Sequence, residues 1–170
     1  MNFDYLLPVD DLLLAHAKMQ PTQCFGQIIE IHTAQSGFPS LDNKKIAIVG
    51  VHEDRAAEGN EGTGNNLDSV RRELYQLYPG NWPMNVADLG NIQRGNSIED
   101  TYFALKELLS YLLKRGIIPL ILGGGQDLTY SNYRAYDTLE QTVNIVAVDS
   151  KFDLGAIEDE LTSKSYLSSN

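Results

Sequence analysis

Two short stretches hold the residues best suited to chemistry. In Asp149-Ser-Lys-Phe-Asp153, which follows an apolar run, alternate residues project the same way if extended geometry continues, placing Asp149, Lys151 and Asp153 on one side. Two carboxylates at a strand end suit a hard cation. In Gly123-Gly-Gly-Gln-Asp127, consecutive glycines let the backbone turn sharply and leave the strand end open to a ligand, with the Gln126 amide just beyond. A third group, His52 with Glu53 and Asp54 beside it, ends another apolar run. His52 reads first as a loop histidine.

The elements that must position these residues follow from periodicity. Ile46-Ala-Ile-Val-Gly-Val51 is a β-branched run suited to a strand buried on both faces, and Glu53 to Asn66 is a polar, glycine-rich loop. Leu67, Val70, Leu74 and Leu77 mark an amphipathic helix over Leu67–Tyr78, closed by Pro79-Gly80. Met84–Asp88 reads as a short strand and Gly90–Asn96 as a loop. Ser97 and Asp100 have capping-box spacing at the start of a helix carrying Tyr102, Leu105, Leu108, Leu109, Leu112 and Leu113 on one stripe, with Gly116 in the terminating position. Ile117–Leu122 and Val143–Val148 are two further buried-strand candidates, separated by a helix from Leu128 to about Leu139.

This alternation predicts an α/β fold: a mainly parallel sheet between two helical layers, with right-handed crossovers and sites beyond the carboxyl ends of the strands. Chemistry is expected just after Val51, Asp88, Leu122 and Val148. The first part of the chain follows the rhythm less well. Residues 1–44 read as an N-terminal arm, with a helix over Val9–Gln20 and an antiparallel edge strand or extended arm over Gly26–Thr33; residues 45–170 carry the α/β unit.

Composition excludes several classes. With 23 acidic against 13 basic residues and a formal charge of −10, and no basic stripe, nucleic-acid binding is not expected. No apolar run reaches the roughly 18 to 20 residues of a membrane span, and the acidic start MNFDYLLPVDD is unlike a secretory signal. A soluble, cytoplasmic protein is expected. Cys24 is the sole cysteine, so neither an intrachain disulfide nor a thiolate metal cluster can form.

Taken together, GGGQD and DSKFD resemble two signatures of the arginase, agmatinase and formimidoylglutamase family of manganese hydrolases. There the corresponding strands lead into GGDHS, or GGGHE in the formimidoylglutamase branch, and into DAHxD. The resemblance extends upstream through IAIVGVHED, then Asn60, Gly62 and Gly64, then LDSVRREL, similar to the family's GPDxIR helix start, and through VADLGNI. It spans roughly Lys45 to Leu154 in order and spacing, and implies an arginase-like fold.

The same resemblance defines the departures. The family's binuclear manganese site uses the histidines of GGDHS and DAHxD with the aspartates; those positions here hold Gln126 and Lys151, while Asp149 and Asp153 are retained. Glutamine is a weaker manganese ligand than imidazole, and a protonated lysine has no lone pair to give. Lys151 is therefore expected to sit between Asp149 and Asp153 as a salt bridge in place of the metal charge, and no manganese is expected to be held. Where formimidoylglutamases have an Arg-Asn pair in the first loop, this chain has Gly59-Asn60, leaving Asn60 as a lone substrate contact. The family's later SxDxDxxDP segment does not follow Leu154, so the chain reads as the truncated N-terminal part of a longer protein, homo-oligomeric like its relatives when complete.

Three functions are weighed. A divergent member that has lost catalysis and binds a small molecule or regulates is favoured by the histidine replacements. A hydrolase of linear amidine carbon–nitrogen bonds, using Mn2+ in a site completed by a C-terminal half, is the main alternative. A dinucleotide-binding protein is the third, because Gly62-Thr-Gly64 precedes a helix and Asp88 ends the next strand. It ranks lowest: about ten residues separate strand and glycines, where a dinucleotide turn needs them adjacent, and Leu67 replaces the third glycine.

Overall fold

The computed structural model describes residues 3–140, 142–151, 153–155 and 161–167. A sheet forms its middle layer. Strand β1 (Leu6–Leu7), helices α1 (Asp11–Lys18) and α2 (Phe25–Ile28) and strand β2 (Glu30–Ile31) come first. Then follow β3 (Ile46–Val51), α3 (Leu67–Tyr75), β4 (Val86–Ile92), α4 (Ile98–Lys114), β5 (Ile118–Leu122) and α5 (Leu128–Asp137). The strands lie in the order β1-β4-β3-β5, with β2 also on β4. The pairs β3–β4, β3–β5 and β2–β4 are parallel, and β1–β4 is antiparallel.

Alternation along each strand assigns the two faces. Ala47, Val49, Val51, Ala87 and Leu89 point to one side, where Leu105, Leu108, Leu109 and Leu112 of α4 and Leu128 and Ala135 of α5 cover them. Ile48 and Val86 point to the other, against Leu13 and Ala17 of α1 and Tyr75 of α3. The three layers expected from sequence are present.

Helix α4 forms as its sequence dictates. The Ser97 hydroxyl accepts from the Asp100 N–H at 3.2 Å, the Asp100 carboxylate accepts from the Ser97 N–H at 2.8 Å, and Gly116 takes φ 70° just past the last turn. Strand β4 runs to Ile92, beyond the loop expected from Gly90. Gly90 stays within the strand at φ 80°, and a Cβ there would lie 2.0 Å from the Leu7 carbonyl oxygen. Glycine is what lets β1 approach.

Three expectations are corrected. Residues 26–33 form no antiparallel strand: Phe25–Ile28 is a helical turn and Glu30–Ile31 runs parallel to β4. On α3 the buried stripe is Leu67, Arg71 and Tyr75, while Val70 and Leu77 are exposed, because Arg71 finds an acid on the sheet. Val143–Val148 forms no strand. Among the described residues the segment pairs with no strand and its side chains lack cover, with Val146 88% and Val148 101% exposed.

Candidate functional site

The carboxyl ends of β3, β4 and β5 carry a cluster of charged side chains that the sequence reading did not assemble. Glu53, just beyond β3, is fully buried. Its carboxylate accepts from the Arg55 guanidinium at 2.5 and 2.9 Å, from the Arg55 N–H at 3.0 Å and from the Thr101 hydroxyl of α4 at 2.9 Å. Burial alone would raise the Glu53 carboxyl, but these donors outweigh it and hold it below the usual glutamate range. Arg55 in turn donates to the carbonyls of Gly95, Asn96 and Ser97.

Asp54 pins the polar loop. Its Oδ2 accepts from the N–H groups of Gly62 at 2.8 Å and Gly64 at 3.1 Å, and its Oδ1 pairs with Arg94. His52 is part of the same clamp: its Nδ1 lies 2.7 Å from the Gly64 carbonyl oxygen. The ring faces the loop.

On β5 the glycine run makes the expected sharp turn, with Gly123 at φ 67° and Gly124 at φ 81°. Asp127 lies buried after it. Its Oδ2 accepts from the Tyr102 hydroxyl at 2.7 Å, while its Oδ1 has no hydrogen-bond partner among the described residues. Burial, and then the Glu53 and Asp54 charges against the Tyr102 bond, hold this carboxyl above its ordinary value. Gln126 points away from that cluster, donating from Nε2 toward the Tyr166 hydroxyl at 3.4 Å. It lines a cavity of about 460 Å³ with Thr129, Asn132 and residues 143–148.

Asp149 and Asp153 are brought together. Asp153 is half-buried beside Asp149, and its burial and that neighbouring charge raise its carboxyl above the ordinary range, against the weaker opposing effect of the Lys151 and Lys164 charges. Lys151 does not bridge them as expected: among the described residues it forms no ion pair, and its side chain is exposed. The physical reason is local. The Asp149 Oδ1 folds back to accept the N–H groups of Ser150 at 2.6 Å and Lys151 at 3.3 Å, closing a turn in which the lysine is left exposed. Among the described residues, no group of three or more His, Cys, Asp or Glu side chains is placed to hold a metal ion. Asn60 is exposed, its N–H held by the Ala57 carbonyl at 2.8 Å.

Beneath the strand ends lies a buried network. Arg71 of α3 donates to both oxygens of Asp88, from Nε at 2.8 Å and Nη2 at 3.0 Å, and from Nη1 to Asn91 at 2.7 Å. The Tyr75 hydroxyl and the Gly90 N–H complete the Asp88 shell. Asp88 is thus fully committed within the protein, which removes the acid that the dinucleotide reading needs for a ribose.

Residues 44–168 match the model of the arginase family. The chain belongs to the arginase family. Among relatives of this arginase-family chain, the formimidoylglutamase of Macrococcus caseolyticus is 28% identical over 135 residues, covering 76% of this chain and 42% of the relative. That of Hahella chejuensis is 31% identical over 103 residues, covering 57% of this chain and 32% of its own. The chain therefore spans less than half the length of these relatives. Among solved structures, Trypanosoma cruzi formiminoglutamase with Mn2+ superposes with a TM-score of 0.66 at 23% identity, covering 77% of this chain and 52% of that one. Bacillus subtilis formimidoylglutamase gives 0.64 at 20%, with coverages of 82% and 51%. These likenesses establish an arginase-like fold matched over about half of the solved chains.

The residues missed by sequence reasoning were Arg55, Arg71, Arg94, Thr101, Tyr102 and Asp127. One signal was available: Arg71 and Tyr75 stand four apart on α3, in step with Leu67, so the helix could have been read as burying an arginine against the one acid in β4.

Proposed function

We propose that this chain is an arginase-family protein that has lost the binuclear manganese site and acts by binding a small molecule or by regulation. What carries the reading is the donor set at the two positions where the family resemblance calls for histidine. Gln126 turns its amide nitrogen to Tyr166, and Lys151 offers an ammonium group. Neither supplies the imidazole that the resemblance places at these positions: the glutamine oxygen is a weaker manganese donor, and an ammonium group cannot ligate a divalent ion at all. The residues as placed do not fit a two-manganese centre.

The alternative is a hydrolase of linear amidine carbon–nitrogen bonds, of the formimino or guanidino type. The names of the relatives and the adjacency of Asp149 and Asp153 favour it. The deciding experiment is manganese titration by calorimetry, with elemental analysis, on the unmodified protein and on the Gln126→His/Lys151→His double variant. Binding confined to the double variant is the expected result. Tight stoichiometric manganese in the unmodified protein would overturn the proposal, and turnover of formiminoglutamate or arginine would then identify the hydrolase.

A further inference from the structure

Residues 161–167 return to the carboxyl ends of the strands and touch three of the segments that meet there. The Ser163 N–H donates to the Ala56 carbonyl at 3.0 Å, in the loop after β3, and the Leu167 N–H donates to the Asp153 carbonyl at 3.4 Å. Between these points the Tyr166 hydroxyl accepts from Gln126, in the turn after β5. The segment is itself a closed turn: the Ser165 N–H donates to the Thr162 carbonyl at 3.1 Å, and the Ser165 hydroxyl accepts from the Thr162 N–H at 3.0 Å.

Its side chains are held in two different ways. Ser165 and Tyr166 are buried, and Ser165 seats against Gly155, where a Cβ would lie 2.5 Å from the Ser165 Cβ. Lys164 instead reaches Glu58 at 2.7 Å across the surface, with 60% and 47% of the two side chains exposed. The hydrogen bond and charge of Glu58, with the charges of Glu61 and Asp153 behind them, outweigh desolvation and hold the Lys164 ammonium above its ordinary value. One cation thus answers acids on two separate segments, but exposed pairs are individually weak and are screened by salt. The same short segment walls two cavities. Tyr166 closes the one of about 460 Å³ beside Gln126, and Leu167 closes another of about 400 Å³ beside Asp149 and Lys151.

We propose that residues 161–167 form a releasable strap over the strand ends, latched by Lys164 on Glu58, Glu61 and Asp153, whose opening ahead of the sheet controls entry to both cavities and to Asp149 and Asp153. The closed form is the one the structure holds. Release exposes one aromatic ring and breaks few backbone bonds, so it belongs to the low-energy end of local opening, well below separation of β3 from β4. The proposal rests on the small-molecule reading only for what enters; the opening is a property of the chain and is read without a ligand.

The test uses the whole chain and two thiols. Cys24 is buried and reports unfolding of the fold, while Ser165→Cys places a second thiol in the buried part of the strap. Maleimide labelling, read by mass spectrometry of the two peptides, follows the open fraction at each site. The introduced thiol should react at least ~10-fold faster than Cys24. Lys164→Ala should speed it by about 2- to 5-fold, and Lys164→Glu, which sets like charges face to face, by about 10-fold, with Cys24 unchanged in both. Gly155→Ala, by crowding Ser165, should act in the same direction. Amide exchange of residues 162–167 in the unmodified protein reads the opening without an introduced thiol, and should outpace exchange in β3 and β4. Equal labelling of the two thiols, exchange of 162–167 only together with the sheet, or no acceleration by Lys164→Glu would each overturn the strap. None of these outcomes bears on manganese binding, so this proposal and the reading of the metal site fail separately.

Discussion

At the residue scale, the strand-end cluster holds its charges for one another. Glu53 ties the end of β3 to the start of α4 through Thr101 directly and through Arg55, which reaches three successive carbonyls. Its carboxyl is held below the ordinary glutamate value of 4.5. A depressed carboxyl contributes stability that is fully present above its unfolded-state value and is lost as pH falls through the folded one. Urea denaturation should therefore show stability declining as the pH drops below about 4.5, and Glu53→Gln should flatten that decline. At neutral pH the same variant should cost about 1–3 kcal/mol, because Arg55 loses a charged acceptor in a buried setting. Lys151 makes the opposite case. Exposed and unpaired among the described residues, it should tolerate Lys151→Ala within about 0.5 kcal/mol by the same measurement. A larger loss would revive the salt bridge that its spacing suggested.

At the scale of elements, α3 is fixed to the sheet by a charged pair with no exposure on either side chain. Removing one partner from such a pair strands the other, at a cost of about 3–5 kcal/mol, whereas replacing both with apolar residues is often neutral. Arg71→Met alone should thus lower the urea midpoint steeply, and Arg71→Met with Asp88→Leu should recover much of the loss. Failure to recover would mean that Tyr75 and Asn91 need the ions as hydrogen-bond partners. The same network marks how far sequence reasoning reaches. Elements whose signals are local were legible: β3 from its β-branched run, α4 from its leucine stripe, Ser97 cap and Gly116 stop. The buried face of α3 was not, because apolar periodicity counts Arg71 as solvated, and only its partner on a distant strand reverses that. The distant halves of the Glu53 and Asp54 clamps escaped for the same reason: Thr101 stands 48 positions from Glu53 and Arg94 40 from Asp54, and no spacing rule connects them.

At the scale of the whole molecule, the chain order of β3, α3, β4, α4, β5 and α5 followed from alternation alone, but Val143–Val148 did not form the strand that alternation called for, and the short strands of the N-terminal arm lay outside the rhythm. Composition can say that a segment is fit for a buried strand; it cannot supply the neighbours that bury it. Here Val146 and Val148 lie almost fully open on a backbone without ladder bonds among the described residues, while β3 from Ala47 onward, β4 and Leu105, Leu108, Leu109 and Leu112 of α4 are closed to solvent. Proteases act where the backbone can be drawn out locally, and that free energy is lowest where pairing and burial are absent. Elastase, which cuts after small aliphatic residues, should therefore cleave first within residues 143–148, leaving a fragment that ends there and keeps the β1-β4-β3-β5 sheet. Mass spectrometry of the first product reads the outcome directly. First cleavage in the glycine-rich 53–66 loop would instead show that the Asp54 and His52 clamps open more readily than the unpaired segment. That would shift the weakest point of the fold from its uncovered side to its strand-end cluster.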